Sequence, residues 1–391
     1  MKRLFMKFKV CVVTTTRADY GPLFPIIKRI SKESLFDLQL VVSGTHLLEE
    51  FGMTKNEIIG DGFTNIIEVP IIPSVSSLSC EIFAKTTEQF EKTFNKLKPD
   101  MVIILGDRFE MVAVASVCLM LGIQLAHISG GDVTYGAIDD ACRHAITKMA
   151  NLHFAGSQIM KNRIIQMGEN PEVVINAGEP GVENILNTKL MTLEEINRSL
   201  NFKLKEKMFA LVTYHPETIC DKNPKEQIKE LIDFIKKHSE IDYIITKSNV
   251  DHGGEEINNY IQENVKDCKN IKFISSLGRV RYLSCVKHSL VVIGNSSSGL
   301  VEVPYLLTPT INIGNRQQGR ESESSVINCE LEQNQLENAF KQAKKNSVVK
   351  PESLKNIYGD GNTSKIVVKK IKEYLRKENL SKKKIFYHIG E

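Results

Sequence analysis

Short, largely apolar runs rich in β-branched residues recur along this chain, with helical-period segments between them. No other feature constrains the fold as strongly. In the first half the runs are "KVCVVTT" (9–15), "LQLVVSG" (38–44), "DMVIILG" (100–106), "IQLAHIS" (123–129), "LHFAG" (152–156) and "VVINAG" (173–178). Amphipathic spacing predicts helices over 22–31, 81–97, 109–121, 139–150 and 157–167. Strands that are apolar on both faces and separated by helices belong to parallel sheets covered on each side. In open sheets of this kind ligands collect at the carboxyl ends of the strands.

The same rhythm restarts after the polar stretch 187–207. Strands are expected at 208–215, 242–248, 271–275, 290–294 and 309–314, with helices over 224–238, 254–266, 279–288 and 297–306. At 391 residues the chain exceeds one ordinary core. The expectation is therefore two doubly wound α/β domains facing one another across a cleft, residues 1–178 and 179–391. A last helix over 362–377 could return to the first domain.

Composition narrows the partners. Apolar residues make up 42% and charged residues 25%, which excludes disorder and coiled coil. The formal charge of +4 is small, and much of it lies near Lys382, Lys383 and Lys384, so no nucleic-acid footprint is expected. Eight cysteines form no C-x-x-C pair, and Cys11 and Cys118 sit inside apolar runs. That usage suits reduced core thiols in the cytoplasm and neither a disulfide scaffold nor a zinc site. The basic start "MKRLFMKFKV" leads into a strand without a small-residue cleavage site, and no apolar run reaches membrane-spanning length. A soluble cytoplasmic protein with no membrane partner is the expectation.

Polar residues gather just after the strands. Arg17 and Asp19 follow the first, and Asp107, Arg108 and Glu110 follow the third. His127, Asp132, Asp139, Asp140, Arg143 and His144 cluster around the fourth; His215 and Glu217, then Asn249 and Asp251, follow strands of the second half. The turn "GNSSSG" (294–299) offers hydroxyls and backbone N–H groups at a helix start, as a phosphate cradle would. An N-capping turn accounts for the same residues. Arg316 and Arg320 nearby suit paired phosphate oxygens, and Glu302 further along could take two ribose hydroxyls. Asp107, Asp139 and Asp140 have a helix-capping reading beside an acid–base one, and His215 could equally be a packed loop histidine. Spacing alone does not divide acid from base.

In order, "TRADYG" (16–21), "GDRFE" (106–110), "HISGGD" (127–132), "IDDACRHAITK" (138–148), "HPET" (215–218), "SNVD" (248–251), "GNSSSG" and "INIGNRQQGRE" (311–321) resemble the hydrolysing UDP-N-acetylglucosamine 2-epimerases of sialic- and legionaminic-acid biosynthesis. The non-hydrolysing sister enzymes differ at three of these places. The resemblance implies a GT-B-like fold, UDP held mainly by the second domain, and no metal or other cofactor. It implies loss of the C2 proton and UDP to give a 2-acetamidoglucal, followed by hydration to the 2-epimer, N-acetylmannosamine. It places catalytic groups at Asp107, Asp132, Asp139 and His215. Nucleotide or substrate contacts fall on Arg17, Arg108, Arg143, Asn249, Asn295, Ser296, Ser297, Glu302 and Arg316. A homodimer or tetramer is also implied.

One departure bears on substrate. One branch has Glu in "HIEGGE" where this chain has Ser129, and Asp132 replaces the last Glu. Ser129 resembles the branch acting on the 2,4-diacetamido-2,4,6-trideoxy sugar, or capsule-type enzymes lacking that Glu. A GT-B glycosyltransferase using a UDP-sugar donor is the alternative, and the clustered carboxylates speak against it.

Overall fold

The computed structural model describes residues 7–74, 77–135, 138–217, 223–248, 253–346, 353–377 and 383–390. The chain begins with β1 (Phe8–Thr14), α1 (Arg17–Lys32), β2 (Phe36–Ser43), α2 (Lys55–Gly60), β3 (Ile66–Val69) and α3 (Ser79–Leu97). There follow β4 (Met101–Leu105), α4 (Phe109–Leu121), β5 (Gln124–Ile128), α5 (Asp139–Met149), β6 (Leu152–Ala155), α6 (Gln158–Gln166) and β7 (Val174–Asn176). After α7 (Pro180–Asn187) and α8 (Leu193–Leu200) come β8 (Phe209–Thr213), α9 (Pro224–Lys237), β9 (Asp242–Thr246), α10 (Gly254–Val265) and β10 (Ile271–Ile274). The rest is α11 (Arg279–His288), β11 (Val291–Gly294), α12 (Ser298–Val301), β12 (Thr310–Ile313), β13 (Val326–Cys329), α13 (Gln333–Lys345) and α14 (Thr363–Leu375).

Two compact units result. The first is Met1–Asp132, Asp139–Asn184 and Tyr358–Glu391; the second is Val133–Ile138 and Ile185–Ile357. The first holds a parallel sheet of order β3-β2-β1-β4-β5-β6-β7. Alternate residues of its strands feed two different cores. Val10, Val12 and Ile103 face Leu23 and Ile26 of α1 and Val367 and Ile371 of α14. Cys11, Val13, Val102 and Ile104 face Phe90 and Phe94 of α3 and Val114 of α4. A period-2 strand covered on both faces selects apolar residues at most positions, which explains the nearly continuous runs. Each such side chain contributes about 1.5–3 kcal/mol by burial. The last helix is tied to this unit by Arg29 Nε donating to Ser364 Oγ (2.8 Å) and Tyr374 OH donating to Gln124 Oε1 (2.8 Å).

The second unit repeats the plan, with parallel order β10-β9-β8-β11-β12-β13. Two doubly wound parallel-sheet units are the components of a GT-B-like fold. In each, strand order reverses once, between β1 and β4 and between β8 and β11, and a crevice opens at such a point beyond the strand ends. Arg17 and Asp107 follow the first pair; His215 and the 294–299 turn follow the second.

Two expectations about elements change. The helix expected over 297–306 is broken: α12 ends at Val301 and a 3-10 turn takes Val303–Leu306. Pro304 has no N–H for the carbonyl of Leu300, so an α-helix cannot continue through it. The first helix starts at Arg17 and contains Pro22 and Pro25, whereas the sequence pattern places its start at residue 22.

Candidate active site

On the first unit the acidic residues gather around one guanidinium. β4 ends at Leu105, Gly106 turns the chain with φ +83°, and Asp107 and Arg108 lead into α4. Arg143, on the second turn of α5, is only 1% exposed. Its Nη2 donates to Asp107 Oδ2, its Nη1 donates to the Asp132 carbonyl (3.0 Å), and Nη1 lies 3.5 Å from Asp140 Oδ1. Burial works against the Arg143 charge, but the negative charges of Asp107 and Asp132 outweigh it and push the pKa up. One cation thus gathers the loops after β4 and β5 and the start of α5, where Asp139 is the first residue. Arg108 turns to Glu110, with Nε and Nη2 each 3.1 Å from Oε1.

His127, within β5, ties that strand to the turn after β4 and to α5. His127 Nε2 donates to the Gly106 carbonyl (2.8 Å), so Nδ1 accepts from the Thr147 hydroxyl (3.2 Å). Burial pulls its pKa down to about 3, which keeps the ring neutral. At the β1 end, Asp19 is folded inward. It accepts from the Thr14 hydroxyl, the backbone N–H of Thr15 (3.0 Å) and the N–H of Thr16 (3.2 Å), and so fixes the turn from which Arg17 projects.

On the second unit, His215 is 6% exposed at the end of β8. Asn295 clamps its backbone: Oδ1 accepts from His215 N and Nδ2 donates to His215 O, both 2.8 Å. His215 Nδ1 lies 3.3 Å from Ser248 Oγ. Gly294, with φ +141°, lets the 294–299 turn pass close to β8, since a Cβ there would sit 1.9 Å from the Thr213 carbonyl. Ser296 and Ser297 are part-exposed in that turn. Ser298 Oγ donates to Glu302 Oε2 (2.6 Å) and lies 2.9 Å from Tyr282 OH. Burial raises the Glu302 pKa, an effect the Ser298 hydrogen bond only partly offsets. Arg316 Nη1 donates to the Asn295 carbonyl (3.2 Å), bringing the loop after β12 against the turn after β11.

The residues assigned from the sequence therefore form two groups, one on each unit. Arg143 is buried, and its guanidinium meets Asp107, Asp140 and the Asp132 carbonyl, so in this structure it gathers the carboxylates. The Asn295 side chain is wholly buried and bonds the His215 backbone through both its amide oxygen and its amide nitrogen. Asn249 and Asp251 lie outside the described residues. Glu217 has no role assigned from the sequence: its Oε1 accepts from Asn315 N (2.9 Å) and Arg316 N (3.3 Å), and Gly314 leaves room for it. Its place in "HPET", beside His215, is the available signal. Among the described residues no three His, Cys, Asp or Glu side chains gather in a way that could hold a metal ion, and no helix is long and apolar enough to cross a membrane.

The sequence profile described as UDP-N-acetylglucosamine 2-epimerase matches residues 28–372. The chain belongs to that family. This 2-epimerase family member is 39% identical over 337 residues to the GDP/UDP-N,N'-diacetylbacillosamine 2-epimerase (hydrolyzing) of Campylobacter jejuni, covering 85% of the chain and 87% of the relative. It is 36% identical over 393 residues to the polysialic acid biosynthesis protein P7 of Escherichia coli, covering 98% of both. Its structure is similar to the crystal structure of UDP-GlcNAc 2-epimerase from Neisseria meningitidis bound to UDP-GlcNAc. The TM-score is 0.80 at 18% identity, covering 94% of this chain and all of that one. At that identity the likeness speaks for the fold alone.

Proposed function

We propose that this family member is a hydrolysing nucleotide-sugar 2-epimerase whose substrate is UDP-N,N'-diacetylbacillosamine, the 2,4-diacetamido-2,4,6-trideoxy sugar. The observation that carries the reaction class is the carboxylate group around Arg143 on one unit together with the His215, Ser296–Ser297 and Arg316 group on the other. The first can exchange protons with a sugar ring. The second can hold a diphosphate and, through Glu302, a ribose. In the reaction a carboxylate removes the C2 proton, the bond from C1 to the phosphate oxygen breaks, and a C1=C2 double bond forms as UDP leaves. Water then gives its hydroxyl to C1 and a proton reaches C2 from the opposite face, releasing the 2-epimeric free sugar. Asp107, Asp132, Asp139 and His215 are the groups assigned to proton transfer and leaving-group handling; Arg17, Arg108, Ser296, Ser297, Glu302 and Arg316 are assigned to the nucleotide. Family membership and relatives named as hydrolysing epimerases do not favour the glycosyltransferase alternative.

The choice of sugar rests on similarity to the Campylobacter jejuni enzyme and on Ser129 in "HISGGD". Similarity to the polysialic acid protein over 98% of both chains supports UDP-N-acetylglucosamine as a second reading, feeding sialic-acid synthesis through N-acetylmannosamine in the cytoplasm. Mass spectrometry of products from the two nucleotide sugars, offered side by side, separates them. Release of a free 2-epimer from the diacetamido substrate alone is the expected result. Turnover of UDP-N-acetylglucosamine alone would assign the second reading.

A further inference from the structure

The loop after β7 carries a carboxylate to which the proposed reaction gives no part. Glu179 stands three residues past the end of β7, at the same carboxyl edge of the first unit's sheet as Asp107 after β4 and Asp132 after β5. The turn before it is made by Gly178, whose φ is +76°. The Glu179 backbone is anchored there, its N–H donating to the Tyr358 carbonyl (2.8 Å). From the loop after β7 the side chain lies over the end of β6 and meets the residue that follows β5. Ser129 Oγ donates to Glu179 Oε2 at 2.6 Å. Gly156, at the end of β6, lets the carboxylate lie across it, since a Cβ there would sit 1.9 Å from Oε1. Ser129 is held at φ +62°, a left-handed conformation that is unfavourable for a residue with a Cβ. The backbone thus accepts strain at the residue that aims its hydroxyl at Glu179, and Glu179 itself stays part-exposed.

We infer that Glu179 is a sugar-contacting carboxylate, oriented by Ser129 and admitted by Gly156, which accepts a hydrogen bond from an O–H or N–H donor on the pyranose of the nucleotide sugar. The inference rests on the proposed nucleotide-sugar reading and adds a carboxylate to the Asp107, Asp132 and Asp139 set. A charge-assisted hydrogen bond to substrate is worth about 10–100-fold in binding or kcat/KM.

The test is a double-mutant cycle of Glu179→Gln and Ser129→Ala in the full chain, read on both UDP and the UDP-sugar. Glu179→Gln is expected to lower kcat/KM for the nucleotide sugar about 10–100-fold and leave the Kd for UDP within about twofold. Ser129→Ala is expected to cost less, and the double variant no more than Glu179→Gln alone, because both remove one interaction. Kd values from calorimetry provide the same comparison without turnover. A parent that binds the sugar without turning it over would defeat the reaction proposed above, while a selective loss of sugar binding in Glu179→Gln would still support this inference. Parent-like handling of the sugar by Glu179→Gln, or an equal loss of UDP and sugar binding, would overturn it.

Discussion

Replacing Arg143 by methionine removes the cation from the acidic cluster while keeping a long apolar stem, so little cavity is created. Asp107, Asp140 and the Asp132 carbonyl then face one another without their shared partner. Removing one member of a buried pair costs about 3–5 kcal/mol. The Asp107 and Asp140 side chains are each 24% exposed, so water relieves part of this and the expectation falls to about 2–3 kcal/mol. For a unit of this size each kcal/mol lowers Tm by about 2–4 °C, giving a drop of about 4–12 °C. Thermal unfolding followed by circular dichroism at neutral pH measures it. Adding Asp107→Asn to the variant is expected to restore part of the loss, since an uncompensated charge goes with it. A Tm within about 2 °C of the parent, or no recovery in the double variant, would refute the assignment of Arg143 as organiser of the carboxylates.

Three further outcomes are expected. Glu302→Gln weakens UDP binding by about 10–100-fold if both ribose hydroxyls donate to this carboxylate, and it flattens the loss of affinity that the parent shows as pH falls through the raised Glu302 pKa; titration calorimetry at several pH values reads both. Because burial lowers the His127 pKa from 6.5 to about 3, the unfolded chain binds a proton that the folded chain refuses between those values. Stability contributed by keeping this ring neutral is therefore complete above about 6.5 and falls with pH toward 3, and His127→Gln is expected to reduce that slope in urea-denaturation midpoints. Asp107→Asn and His215→Ala are each expected to cut turnover about 10²–10⁴-fold in a UDP-release assay.

Much of the architecture is legible in the sequence because both sheets are covered on each face. That burial makes β4 apolar at every position and β1 and β5 apolar at most, so they stand out against amphipathic helices such as α3 and α9. β3 and β13 give no comparable signal, because each has only four residues and neither is uniformly buried. α8 is hidden inside a polar stretch, although Thr192 and Glu195 form a capping box at its start. In the candidate site, strand-end position is enough to single out Asp107, His215 and the 294–299 turn. Burial is not readable from position. The pairing of Arg143 with Asp107, 36 residues away, and of Asn295 with the His215 backbone, 80 residues away, has no local sequence signal. Glu179 gives no signal at all, since its partner Ser129 lies fifty residues away and Gly156 matters only through its missing Cβ.

The most direct measurement of the central claim is turnover of the diacetamido nucleotide sugar in deuterium oxide, with the free sugar analysed by NMR and mass spectrometry. Elimination and hydration predict UDP and a 2-epimeric sugar carrying solvent deuterium at C2. Release of UDP with a sugar that keeps its original C2 proton and configuration would contradict it.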